Sequence, residues 1–128
     1  TEMPRATIDL EETEEFQLKT CPGGFVKLRR MSYGQTLDRR ALMKLSISTT
    51  KGSKTLEGEM AMANQKIQIF EFRHCIVDHN LEDEDGQKLN LGDPVVLAKL
   101  DPRIGAEVES KISDMNNFED DEDDEQGN

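Results

Sequence analysis

Apolar residues, with one histidine among them, recur at steps of four and three from Leu56 to Leu81: Leu56, Met60, Ala63, Ile67, Phe70, His74, Val77 and Leu81. Residues three and four apart stack on one side of an α-helix, so the spacing predicts one long amphipathic helix over Leu56–Leu81. Ile69, Phe72 and Ile76 widen the stripe, whereas Glu57, Glu59, Gln65, Lys66, Gln68, Glu71 and Arg73 fall between and are expected in water. At about 1.5 Å per residue the rod would be about 35–40 Å long. A helix of that length needs something to pack against: other elements of the chain, other copies of it, or another protein.

Upstream, two short runs alternate apolar and polar residues, Phe16–Thr20 and Phe25–Met31, around Cys21-Pro22-Gly23-Gly24. Period-two alternation marks half-buried strands, and proline followed by glycine suits a tight turn, so a β-hairpin is predicted. A hairpin alone is marginal and must pack on a helix or gain a third strand. Ser32-Tyr33-Gly34-Gln35 fits a capping box. It opens a helix to about Leu45 whose buried side is expected to carry Tyr33, Leu37, Ala41 and Leu45 with Leu42, leaving Arg39, Arg40 and Lys44 on the surface. The Ser/Thr-rich stretch Ser46–Lys54, with Gly52, is read as a loop whose Ser53 caps the long helix. Asp93-Pro94 and Asp101-Pro102 repeat one helix-start signal, an acid that caps free amides before a proline that fits the first turn. The first opens a short helix with Val95, Val96, Leu97 and Leu100. The second runs to about Asn116 with Ile104, Val108, Ile112 and Met115 aligned. The predicted class is α+β and mostly helical, an N-terminal β-hairpin packed on a bundle of about four helices.

Length and charge divide the chain further. Its 128 residues suit a single domain, placed at residues 16–117. Residues 1–15 hold Asp9, Glu11, Glu12, Glu14 and Glu15 with only Ile8 and Leu10 to bury, so a flexible acidic arm is expected. Residues 118–128 are expected to be a disordered acidic tail, because Glu119–Glu125 is an unbroken run of acids. Without those seven charges the net charge of −11 becomes −4, so the tail carries most of the excess. The absence of a signal peptide or a transmembrane-length apolar run points away from membranes and toward a reducing cytoplasm. Cys21 and Cys75 are accordingly read as free thiols, Cys75 as a small core residue.

Candidate chemistry is sparse. His74-Cys75-Ile76-Val77-Asp78-His79 places two pairs of ligand-type residues four apart on a helix, but no third or fourth ligand lies nearby, so a structural helix end is expected. A cysteine–histidine nucleophile there lacks an orienting group. Asp83-Glu84-Asp85-Gly86 fails as a calcium loop, since aligning Gly86 with the invariant glycine puts Leu81 at the first ligand position. The Cys21–Gly24 turn lacks the lysine of a phosphate loop. No catalytic residue, metal or cofactor is predicted. Lys27, Arg29, Arg30, Arg39, Arg40 and Lys44 form a basic zone. With no aromatic platform beside it and an acidic chain overall, nucleic acid is not the expected partner. The zone is expected to meet the chain's own acidic arm or tail, or an acidic partner.

The segment from Phe16 through Cys21-Pro22-Gly23-Gly24-Phe25-Val26-Lys27-Leu28-Arg29-Arg30-Met31 to Ser32-Tyr33-Gly34 resembles tail assembly chaperones of long-tailed bacteriophages. Phe72–Asn80 and Leu100–Gly105 are similar to the same small phage proteins, and the likeness extends over residues 16–117. In that family a strand pair leads through a basic–apolar stretch and a Ser/Thr-Tyr/Phe-Gly element, here Ser32-Tyr33-Gly34, into the first helix. The resemblance implies a non-enzymatic protein of the host cell cytoplasm, absent from the mature virion. Its client would be the tape measure protein, kept soluble for tail tube assembly, with the tail tube protein as a further partner and self-association along the long seam. Lys27, Arg29, Arg30, Tyr33 and Arg40 are the expected partner-binding residues. Met60 and Met62 either give the long helix an adaptable surface or fill its core. Two other readings are a structural part of the tail tube or head–tail connector and an acidic DNA-mimic inhibitor. Acids pooled at one end, rather than spread over a folded surface, weigh against mimicry.

Overall fold

Strands β1 (Glu14–Gln17) and β2 (Phe25–Leu28) form the hairpin that the alternation predicts, with Phe16 opposite Val26 and Glu14 opposite Leu28. The Gly24 amide donates to the Cys21 carbonyl at 2.8 Å and Gly23 has φ +86°, so Pro22 and Gly23 are the central residues of a type II turn. β1 starts inside the expected arm, because Glu14 and Glu15 pair with β2. The computed structural model describes residues 3–50 and 56–118, and within them the side chains outside 45–50 and 56–63. Helices α1 (Tyr33–Thr50) and α2 (Leu56–Cys75), strand β3 (Ile76–His79) and helices α3 (Pro94–Leu97) and α4 (Pro102–Asn116) follow. The fold is α+β, a three-stranded antiparallel sheet in the order β1-β2-β3 with four helices.

The long helix is shorter than its spacing predicts. α2 stops at Cys75, and the next four residues form β3 against β2. Arg29 supplies the reason: its backbone amide donates to the Cys75 carbonyl at 2.9 Å and its Nε to the His74 carbonyl at 2.7 Å. The last turn of α2 thus finds partners outside the helix. β-Branched Ile76 and Val77 favour the extended chain that follows. Ile76 pairs with Leu28 and His79 with Val26, while Val77 bulges from the ladder and is 49% exposed. Val77 therefore leaves the seam, and Leu81 is buried from a loop rather than from a helix.

The capping box at the start of α1 forms in full. The Gln35 amide donates to Ser32 Oγ at 3.2 Å, and the Ser32 amide donates to Gln35 Oε1 at 3.0 Å. The helix continues to Thr50, so residues 46–50 are helical and not loop. The cap at Ser53, the side chains of Leu45, Leu56, Met60, Met62 and Ala63, and the acidic run from Glu119 lie outside the described residues. α1 lies antiparallel to α2, since Gln35 meets His74 while Arg39, further along α1, meets Glu71, further back on α2.

Its rotation is the main departure from expectation. Tyr33, Leu37 and Ala41, predicted to be buried, face outward; Tyr33 is 72% and Leu37 43% exposed. Arg39, predicted on the surface, points inward and is buried, as is Glu71. Their side chains pair at 3.1 Å, and the guanidinium lies 3.8 Å from the Phe118 ring centroid. Helical spacing tells which residues share a side but not which side turns inward. Here a buried acid and an aromatic face select the arginine.

The core joins Val26 and Leu28 of the sheet, Phe72 and Cys75 of α2, and Val108 and Ile112 of α4, with Leu18, Met31, Leu81 and Leu91 around them. α4 follows its predicted periodicity and bounds. Asp93 and Asp101 cap α3 and α4 by accepting from the Val95 and Arg103 amides, each at 2.9 Å. Asn117, with φ 56°, closes α4. Phe118, assigned to the tail by composition, is a core residue at 2% exposure. Polar side chains then tie the hairpin down. Glu107 accepts from the Lys19 and Thr20 amides at 2.9 Å and from the Thr20 hydroxyl at 2.6 Å. Asn116 Oδ1 accepts from the Met31 amide, and Asn80 bridges the turn by accepting from the Phe25 amide and donating to the Gly23 carbonyl.

Two stability outcomes are expected. Arg39→Met leaves the Glu71 carboxylate buried without its cation and should cost about 3–5 kcal/mol in urea unfolding, whereas Arg39→Met with Glu71→Leu should recover most of the loss. The Thr20 hydroxyl, and then the Lys19 and Thr20 amides, hold the Glu107 carboxyl down at about 2 against an ordinary 4.5. A depressed carboxylate stabilises above its unfolded value and loses that contribution as pH falls through the folded one. The melting-temperature gap between the native chain and Glu107→Gln should therefore be full above pH 4.5 and shrink toward pH 2.

Candidate functional site

The outward side of α1 is the first surface of interest. Tyr33, Leu37, Arg40, Ala41 and Lys44 stand at helical spacings of three, four, seven and eleven, which stack them on one face. Tyr33, Leu37, Ala41 and Lys44 are exposed and Arg40 is half-buried, so the stripe is apolar with cations along it. Arg30 is exposed just before the helix. Solvated apolar residues aligned over more than two turns are what a helical partner needs, whereas single exposed ones are ordinary.

The five residues predicted to touch a partner therefore separate. Tyr33 and Arg40 share the α1 stripe, with Arg30 adjoining it in the chain. Arg29 is committed to the carbonyls that end α2. Lys27 lies mid-strand in β2, opposite Glu15 on one side and Asp78 on the other, on the sheet face away from Val26 and Leu28. Two carboxylates across the ladder match its charge.

A second surface lies at the other end of the sheet. The Cys21–Gly24 turn, the Asn80–Asp85 loop, α3 and the first turn of α4 enclose a groove of about 840 Å³. Leu81, Leu89, Val96, Leu100 and Ile104 contribute its apolar wall, and exposed Glu82, Glu84 and Asp85 its rim. Asp83, the fourth acid, accepts from the Asp85 and Gln87 amides and holds the turn that Gly86 completes with φ +80°. Lys99 is the single cation of the lining. Gly24 is required here: a Cβ on it would stand 3.1 Å from Leu81 Cδ2 and 3.2 Å from Cys21 Sγ. Apolar spacing alone does not reveal this groove, because its residues come from four separate stretches.

Neither surface carries reactive groups in a catalytic arrangement. With α2 ended at Cys75, the histidines, cysteine and aspartate of His74–His79 no longer share helical faces. His74 stays on α2 with its ring 4.3 Å from Phe70, and Asp78 points outward to Lys88 at 2.6 Å. His79 points inward, and its Nδ1 accepts from the Leu81 amide at 3.0 Å. Burial, reinforced by the Lys88 charge, lowers the His79 pKa and favours that neutral acceptor. Among the described residues no cluster of His, Cys, Asp or Glu could hold a metal, and no helix is long and apolar enough to cross a membrane. No family model, curated protein or solved structure matches the chain.

Both thiols are free, but their settings differ. Cys21 is half-buried in the groove wall. Cys75 is fully buried, and burial first, then the Glu71 charge, pushes its pKa up to about 12. Iodoacetamide at neutral pH should modify one thiol in the native protein, Cys21, and the second only after denaturation; peptide mass mapping reads both. Comparable rates at the two would mean that the Cys75 environment opens to solvent.

Proposed function

We propose that the protein is a non-enzymatic tail assembly chaperone of a long-tailed bacteriophage, acting in the infected cell's cytoplasm to hold the tape measure protein in solution until the tail tube polymerises around it. The observation that carries the reading is the outward stripe of Tyr33, Leu37 and Ala41, which continues directly from the Ser32-Tyr33-Gly34 element of the resemblance. A chaperone for a long helical client needs an apolar face that is left uncovered and can be re-covered. An amphipathic helix laid against such a face is a common mode of recognition. Arg30, Arg40 and Lys44 favour a client segment whose apolar side is bordered by carboxylates.

Co-expression of the two proteins is the test. The tape measure protein should be soluble and co-purify only when this chain is present. Leu37→Ser with Tyr33→Ser should abolish co-purification while leaving the melting temperature within a few degrees, since both residues are exposed. Purified virions should lack the chain. No association with the client, or stoichiometric retention in virions, would set the proposal aside in favour of a structural tail component.

A further inference from the structure

The two surfaces are opposites in charge and alike in apolar content. The α1 face presents Tyr33, Leu37 and Ala41 beside Arg40 and Lys44. The groove presents an apolar wall beneath Glu82, Glu84 and Asp85, and none of these three carboxylates has a cationic side-chain partner among the described residues. Within one molecule they cannot meet. β2 begins at the hairpin turn that walls the groove and ends on the side where the chain enters α1. α1 is, moreover, fixed along α2 by the Arg39–Glu71 pair and the Gln35–His74 contact. Complementary patches at opposite ends of a rigid unit can be satisfied only between units.

We infer that the acid-rimmed groove between the hairpin turn and α3 of one copy receives the basic–apolar face of α1 from a second copy, so that the chains associate head to tail. Such a contact is heterologous: each copy donates a helix face at one end and accepts one at the other, which closes into a ring or extends as a filament. A second copy suits the groove better than the chain's own acidic arm or tail, whose charge repeats that of the rim. It also covers the apolar face of α1 while no client is bound, so client and second copy compete for one stripe. Association of this kind does not depend on which client the protein holds. A chain that assembles without binding the tape measure protein, or binds it without assembling, separates the two readings.

Sedimentation of the full-length chain at several concentrations, alone and in mixtures, tests this. The native protein should show a mass that rises with concentration, and raised salt should lower it. Leu37→Glu with Lys44→Glu disables the donor face; Glu82→Lys, Glu84→Lys and Asp85→Lys disable the acceptor. Each variant alone should associate at least about tenfold more weakly and sediment as a monomer. Mixed, they should form a one-to-one dimer that grows no further, because each retains the surface the other lacks. If circular dichroism shows that the Leu37 substitution perturbs the fold, Lys44→Glu with Tyr33→Ser serves as the donor variant. A native chain that stays monomeric, an acceptor variant that still self-associates, or a mixture that remains monomeric would overturn the inference.

Discussion

A single buried ion pair governs the orientation of the first helix. Arg39 reaches inward to Glu71 and lies across the Phe118 ring, so α1 cannot rotate to bury its own apolar stripe without stranding a carboxylate in the core. The pair adds little to stability compared with apolar residues of the same size, but it strongly penalises every other rotation. What it secures is an outward Tyr33, Leu37 and Ala41. The surface most suited to a partner is thus a by-product of how a charge was accommodated inside.

Arg29 has the corresponding role for the sheet. By donating to the carbonyls of His74 and Cys75 it ends α2 and lets Ile76–His79 pair with β2. That third strand gives a short hairpin the support it lacks alone. Glu107, Asn116 and Asn80 then anchor the hairpin to α4 and to the segment after β3 through backbone amides. The sheet is short, and polar side chains from distant parts of the chain do much of the work of holding it in place. Its two ends consequently carry fixed surfaces of different character.

Local rules were readable from the residues. The Ser32–Gln35 capping box, both Asp-Pro helix starts, the proline–glycine turn and the α4 stripe form as their chemistry dictates, because each depends on residues within a few positions of one another. Interactions across long separations were not readable. Arg29 acts on a carbonyl 45 residues away and Arg39 on a carboxylate 32 residues away. The first converts the end of an apparent helix into a strand, and the second turns a predicted core face to solvent. Tyr33 and Arg40 were identified as contact residues from the basic zone and the motif around Gly34, but the groove was not found, since Cys21, Leu81, Val96 and Ile104 share no periodicity. Phe118 was lost in the acids that follow it.

Asn80 repays one more look at its chemistry. Its side-chain amide stands in for peptide backbone beside β2, taking a hydrogen from Phe25 and giving one to Gly23. The substitution works only while the group has one nitrogen and one oxygen. Spontaneous hydrolysis to the acid would set oxygen against oxygen at Gly23, so an ageing reaction, with no change in the gene, would loosen the wall of the groove.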